Sequence, residues 1–374
     1  MILTILKEKL KEGINAVEKI SQKPLALLIL QSTLFKVEQN FLKLSTTNLE
    51  SGIIWWSLAK VEKEGQICLP TKLFSSLLNF LPAKPIFLST ENLILNLECE
   101  NFKTKIKGFN PEEFPIIPQA KEGETLTLDC FSLCQALSQI LDIPAPSMAR
   151  PEISGIFFHF QDNSLELVAT DSFRLVEKKV SLPVNLTKEY SLILPQSAAR
   201  EIVNVFWEKD GELKIYFSPN QIWLEYMMTE LPHPQIQFTS RLIEGEYPNY
   251  QEIIPKKFET TIQISKEEFL NQIKTASLFS GKSNEVRLKI NPKEEFLEIS
   301  SQSPDLGEYK STQKGKIEGK ELAISFNQRF LTDGISKIKT KELIFELTNE
   351  EGPAILRPVG VLDYFYIIMP VKMS

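Results

Sequence analysis

The sequence predicts an α+β fold made of three tandem copies of one design, each with two helices packed on antiparallel sheet. Three observations predict it. Each third of the chain opens with a short alternating strand that runs into an amphipathic helical pattern. A second helical pattern recurs later in each third, and the segments that close the thirds match as well. A chain of 374 residues is also too long for one ordinary core, so domains at 1–123, 124–256 and 257–374 are expected.

In the first third, Leu3-Thr4-Ile5 precedes a helix with Leu6, Leu10, Ile14 and Val17 on one side. Leu69-Pro70 opens a second helix carrying Leu73, Phe74, Leu77 and Leu78. Leu93-Ile94-Leu95-Asn96-Leu97 alternates as a strand does, and Phe114-Pro115-Ile116-Ile117-Pro118 closes the third. In the second, Leu126-Thr127-Leu128 leads to Leu133, Leu137 and Ile140. Leu194-Pro195 leads to Ala199, Ile202, Val203 and Phe206. Leu213-Lys214-Ile215-Tyr216-Phe217 alternates, and the run from Tyr247-Pro248 to Pro255 closes it. In the last, Ile262-Gln263-Ile264 leads to Phe269, Leu270, Ile273 and Ala276, with Ser265 and Glu268 spaced as a capping box. Ser325-Phe326-Asn327 opens a helix with Phe330, Leu331, Ile335 and Ile338, and Asn327 is its expected N-cap. Leu343-Ile344-Phe345-Glu346-Leu347 alternates, and Ile367-Ile368-Met369-Pro370 closes the chain. Proline in the first turn of a helix, as Pro70 and Pro195 suggest, costs little because that amide has no intrahelical partner.

A net charge of −6 argues against a protein that grips nucleic acid over its whole surface, but not against basic residues gathered on one face. Cys130 and Cys134 share a helix spacing. With Cys68, Cys99, His159 and His233 elsewhere, no zinc pattern forms, so no metal or other cofactor is expected. Few thiols and no recognisable signal peptide suggest the reducing cytoplasm. No apolar run reaches membrane-spanning length, and no membrane partner is expected. Ser280-Gly281-Lys282-Ser283 lacks the earlier glycine of a phosphate-binding loop, because Ala276 stands there, and it follows a helix instead of a strand. His159 and His233 have no neighbour that makes a nucleophile or base, so no catalysis is expected.

The stretch Ala169-Thr170-Asp171-Ser172-Phe173-Arg174-Leu175 reads as a tight hairpin, with side-chain oxygens from Asp171-Ser172 bonding turn amides and Phe173 at the corner. It is either a structural turn or one wall of a groove that accepts a partner's apolar side chain. In Phe102-Lys103-Thr104-Lys105-Ile106-Lys107 lysine fills alternate positions, as on a guarded edge strand or one side of a subunit contact.

With Glu113-Phe114-Pro115, Tyr247-Pro248-Asn249-Tyr250 and Met369-Pro370-Val371-Lys372, the 169–175 hairpin gives the chain a resemblance over its whole length to the bacterial DNA polymerase sliding clamps, the β subunit of the replicative polymerase. The resemblance implies three DNA-clamp domains and a head-to-tail homodimer closed into a ring. It implies that the ring encircles double-stranded DNA without reading sequence and acts as a processivity factor of the polymerase III holoenzyme. The implied partners are the polymerase catalytic subunit, the clamp loader and other clients carrying a short clamp-binding motif. The alternative is a monomeric repeat scaffold that binds peptides and encircles nothing.

By the same resemblance, the client groove would be lined by Ile153 on the strand before the hairpin, Thr170, Ser172, Phe173, Arg174, Leu175, Pro248, Ile253 and Pro353. The tail would complete it with Ile367, Ile368, Met369, Pro370, Val371, Lys372 and Met373. DNA-facing candidates are Lys7, Lys11, Lys72, Arg200, Lys274 and Arg329 on or beside helices, with Lys23, Arg150 and Lys282 in loops. Phe102, Thr104 and Ile106 would form one side of the dimer contact, and Leu278 and Phe279 the other, unless these last two are core residues. Ser172 and Phe173 stand where the family commonly has Gly and His, and the tail ends Lys372-Met373-Ser374, so peptide preference is expected to differ.

Overall fold

The computed structural model describes residues 1–21, 27–119, 124–145, 147, 149–183, 186 and 188–371. Six α-helices stand among the described residues: α1 (Lys7–Ser21), α2 (Thr71–Phe80), α3 (Cys130–Ile140), α4 (Gln196–Phe206), α5 (Lys266–Ser277) and α6 (Gln328–Lys337). They fall in pairs, two to each third, as the repeated pattern predicts. None is long and apolar enough to cross a membrane. The chain forms two compact units, Met1–Leu137 with Leu194–Glu244, and Ser138–Ile193 with Gly245–Ser374, so each unit holds one outer third and part of the middle one.

In the first unit, a five-stranded sheet runs in the order Lys60–Lys63, Ile2–Leu6, Pro85–Glu91, Ile94–Cys99, Phe102–Lys107. An eight-stranded sheet runs Glu124–Asp129, Glu212–Ser218, Gln221–Met227, Pro234–Arg241, Ser51–Leu58, Phe41–Thr47, Ser32–Glu38, Gly65–Pro70. Leu10, Ile14 and Val17 bury one face of α1 completely. Gly13 lies on α1 where a Cβ would stand 2.4 Å from the Trp55 ring, so the helix sits on the sheet only because that position is bare.

In the second unit, a nine-stranded sheet runs Tyr190–Pro195, Gly155–Gln161, Ser164–Thr170, Arg174–Ser181, Tyr364–Ile368, Ala354–Pro358, Glu342–Leu347, Thr260–Ser265, Lys316–Gly319. A four-stranded sheet runs Gly307–Lys314, Phe296–Ser303, Glu285–Asn291, Leu322–Asn327.

Each unit is stitched by the same junction. Ser51–Leu58 pairs antiparallel with Pro234–Arg241, with Ser51 opposite Ser240. Arg174–Ser181 pairs in the same sense with Tyr364–Ile368, with Arg174 opposite Ile368. At the mouth of each junction one more bond forms: Arg241 N–H donates to the Glu50 carbonyl, and Met369 N–H to the Phe173 carbonyl, both at 2.9 Å. Phe102–Lys107 and Gly307–Lys314 end their sheets without a strand beyond them among the described residues.

Several local expectations are corrected. Ser265 occupies the N-cap of α5 with extended backbone, but its side chain makes no capping bond, so the capping box does not form. Asn327 does cap α6, accepting from Arg329 N–H at 3.0 Å. Pro70 and Pro195 are N-cap residues and not first-turn residues; each ends a strand and turns the chain into its helix. Leu6 ends its strand exposed, and Leu73 is 56% exposed instead of buried, because α2 buries only Thr71, Phe74 and Leu78. All four cysteines are free and buried, and burial helped by Glu113 pushes the Cys68 thiol up to about 12, keeping it protonated and inert.

Candidate partner-binding site

The predicted hairpin forms between the strands Ser164–Thr170 and Arg174–Ser181, closing on the pair Thr170 and Leu175. Its turn is held by side chains. Asp171 Oδ1 accepts from the N–H groups of Phe173 at 3.0 Å and Arg174 at 2.9 Å. The Thr170 hydroxyl donates to the Arg174 carbonyl at 2.7 Å and accepts from Ser172 N–H at 3.2 Å. Ser172 contributes its backbone, in the left-handed region at φ +76°. Tight bonding on both sides of Phe173 turns its ring outward, and it is 61% exposed.

Arg174 is not a free wall residue. Its Nε donates to Asp171 Oδ2 at 2.8 Å and one terminal nitrogen donates to Asp333 Oδ2 on α6 at 2.5 Å. The guanidinium lies 4.5 Å from the centre of the Phe330 ring, with Phe173 stacked beyond it at 6.4 Å. This rivets the hairpin to α6 and commits two of the arginine's donors inside the fold. Phe330 and Asp333 therefore belong to the site, and sequence reasoning missed this role for both. By sequence, Phe330 shows only as part of the α6 apolar pattern.

Strand alternation divides the expected lining. Leu175 and Ile367 face one side of the sheet, in a cluster with Val168, Tyr250, Ile355 and Phe365, and Tyr247 and Ile254 pack against that cluster. Arg174 and its partner Ile368 face the α6 side. Leu175, Ile367 and Ile368 are thus floor and core, while Phe173, Ile253, Met369 and Val371 present exposed apolar surface. Thr170, Pro248, Pro353 and Pro370 are half-buried. Ile153 is buried, and it sits on a short 3-10 helix, Pro151–Ser154, and not on a strand as expected. Lys372 and Met373 lie outside the described residues, as does Lys23.

The basic candidates are not equivalent. Lys7 Nζ donates to the carbonyl of Leu81, at the end of α2, and is tied into the fold. Arg150 pairs with Glu152 at 3.1 Å. Lys11 is half-buried on α1, whereas Lys72, Arg200, Lys274, Lys282 and Arg329 are exposed. Lys72 and Arg329 each stand second in their helices, α2 and α6. A cation there opposes the helix dipole, so its placement does not serve helix stability, while the amides beside it favour an anion.

On the free edge Phe102–Lys107, Phe102 is exposed and Thr104 half-buried, but Ile106 is buried in the core and cannot serve as contact surface. Leu278 is 70% exposed and so is not a core residue. Phe279 is half-buried, stacked 5.9 Å from Tyr309 on the other free edge. Leu73 and Phe80 on α2 add exposed apolar surface that the helical pattern alone does not mark.

Comparison with known proteins accounts for nearly the whole chain. Residues 1–118 match the N-terminal domain of the DNA polymerase III beta subunit, 133–249 its central domain and 251–372 its C-terminal domain. The chain belongs to the DNA polymerase III beta subunit family. The beta sliding clamps of Staphylococcus aureus (strain Mu50) and Staphylococcus epidermidis are each 27% identical to it over 317 residues, 84% of this chain and 82% of theirs. The crystal structure of the DNA polymerase sliding clamp from Bacillus subtilis superposes with a TM-score of 0.93 over 100% of both chains at 24% identity. That of the Pseudomonas aeruginosa clamp bound to griselimycin gives 0.93 over 100% of both chains at 21% identity. The chain is thus a sliding clamp of three tandem α+β domains, a non-catalytic processivity factor of DNA replication.

Proposed function

We propose that two copies of this chain close head to tail into a ring around duplex DNA and tether the replicative polymerase and other clients through the site at Phe173. One observation carries the ring. The chain contains the same interstrand junction twice, in the same register, and has one strand of each kind left over, Phe102–Lys107 and Gly307–Lys314. Pairing those two edges between copies completes the series, and the interface is then heterologous within a closed dimer. Phe102, Thr104, Leu278 and Phe279, with Leu73 and Phe80, supply its apolar surface. The domains follow the boundaries 1–123, 124–256 and 257–374.

Enclosure needs no base contacts, so sequence is not read, and a few cations facing the duplex suffice. Lys72, Arg200, Lys274, Lys282 and Arg329 are the exposed set for this role, with Lys11 beside them. A chain of net charge −6 can slide because it does not adhere. Phe173, Ile253, Met369 and Val371 offer apolar anchorage to short client segments of the polymerase catalytic subunit and the clamp loader. Met369 adapts to differing side chains. Griselimycin, bound by the Pseudomonas aeruginosa clamp, is expected to occupy this site. The ring works in the cytoplasm.

The test is retention on DNA. Loaded onto a nicked circle, the protein stays bound through gel filtration and is released when the circle is cut. A strict monomer at micromolar concentration, or binding indifferent to DNA ends, overturns the ring.

A further inference from the structure

Beneath the linker that carries Pro248 and Ile253 lies a buried polar network with no role in the account above. Glu166 is only 3% exposed at its side chain and Glu177 is buried one strand away. Lys179 Nζ donates to Glu166 Oε1 at 2.6 Å and lies 3.6 Å from Glu177 Oε1. His159 Nδ1 lies 3.3 Å from Glu166 Oε2, and its Nε2 3.9 Å from the exposed Glu189. The Tyr250 hydroxyl reaches both carboxylates, Glu177 Oε2 at 2.8 Å and Glu166 Oε2 at 3.3 Å. The Tyr250 ring packs in the cluster that contains Leu175 and Ile367, the floor of the site. One side chain thus spans from the charged row to the groove.

Counting hydrogens constrains the network. A tyrosine hydroxyl carries one proton and cannot donate to two carboxylates at once. With both carboxylates ionised, the hydroxyl can serve Glu177 and His159 can serve Glu166, but two buried negative charges then share one lysine. Placing a proton on Glu177 relieves the excess charge: Glu177 donates to the Tyr250 oxygen, Tyr250 donates to Glu166, and Lys179 and His159 complete Glu166. We propose that Tyr250 is the positioning residue of the linker wall of the groove, and that its hold runs through a donor chain in which protonated Glu177 donates to Tyr250 and Tyr250 donates to Glu166. The inference rests on the reading of this site as a client groove.

The electrostatics run the same way. Burial raises the Glu177 pKa above its ordinary range, so its contribution is fully present below that range and is lost as pH rises through the raised value. For Glu166 burial pushes upward, but Lys179 and His159 outweigh it and hold the carboxyl below its usual value, keeping it the acceptor at the end of the chain.

The test is griselimycin binding to the full chain as pH is raised from about 4.5, the ordinary carboxyl range, to about pH 8.5. Wild-type affinity is expected to fall roughly threefold as pH rises, the scale of one hydrogen bond lost. Glu177→Gln, whose amide donates in place of the acid but cannot titrate, should match the low-pH affinity at every pH. Tyr250→Phe should bind roughly fivefold more weakly with no pH slope. A protonated-carboxyl infrared band should be present in the wild type and absent from Glu177→Gln. Wild-type binding by Tyr250→Phe, or a surviving pH slope in Glu177→Gln, overturns the inference while leaving the groove intact. Failure of the wild type to bind griselimycin at any pH removes the groove and the inference together. If Tyr250→Phe does not fold, Glu177→Gln and the infrared band carry the test.

Discussion

Two hairpins in this molecule share one backbone and differ in what they can do. Thr47–Ser51 in the first unit and Thr170–Arg174 in the second are built alike. Asn48 Oδ1 accepts from Glu50 and Ser51 N–H groups as Asp171 Oδ1 does from Phe173 and Arg174. The Thr47 hydroxyl donates to the Ser51 carbonyl at 2.8 Å, as Thr170 does to Arg174 at 2.7 Å. Leu49 and Ser172 adopt φ +74° and +76°. The side chains then diverge. After the first turn stands Gly52, where a Cβ would lie 2.8 Å from Ile117, so the chain's own linker fills that space. After the second stands Leu175, which forms a floor. The tip of the first is the charged Glu50 and that of the second the exposed Phe173. A repeated backbone supplies two equivalent places, and side-chain volume and polarity decide which one stays open to a partner.

Substitutions that exchange these features should break the comparison in graded steps. Arg174→Ala removes the rivet to α6 and leaves the half-buried Asp171 without its cation; a loss of about 3 kcal/mol is expected in chemical denaturation. Phe173→Glu, which gives the second hairpin the tip of the first, should cost about 2 kcal/mol, or roughly thirtyfold, in griselimycin affinity by calorimetry. Stability should hardly change, since the ring is mostly in solvent. Gly52→Leu, the reverse exchange at the floor, should destabilise by about 1–2 kcal/mol because Ile117 must move, with a lowered Tm as the readout. Glu50→Phe should be the smallest: within about 0.5 kcal/mol in stability, and no second equivalent of griselimycin bound, because Ile117 still fills the space beside it. A second bound equivalent would show that the tip alone creates the site.

Local signals carried far along this chain. The strand-to-helix openings, the Asn327 cap and the hairpin at 170–174 were legible because each is decided by residues a few positions apart. The lysine alternation of 103–107 correctly marked an edge. Other expectations failed where a distant partner intervened. Lys7 stands among the DNA-facing candidates by sequence, but the Leu81 carbonyl ties it into the fold, and Leu73 reads as core because helical spacing does not say how wide the buried stripe is. Ser265 had the composition of a capping box but not its bond.

The sequence by itself determined that one α+β design is used three times, with a tight turn at the candidate site and an acidic surface overall. Periodicity and turn chemistry act within a dozen residues, and the chain states them openly. Tertiary structure alone decided which surface is open. Arg174 meets Asp333 across 159 positions and Tyr250 meets Glu166 across 84. Pairings that distant follow from how strands and helices pack, so no local pattern announces them.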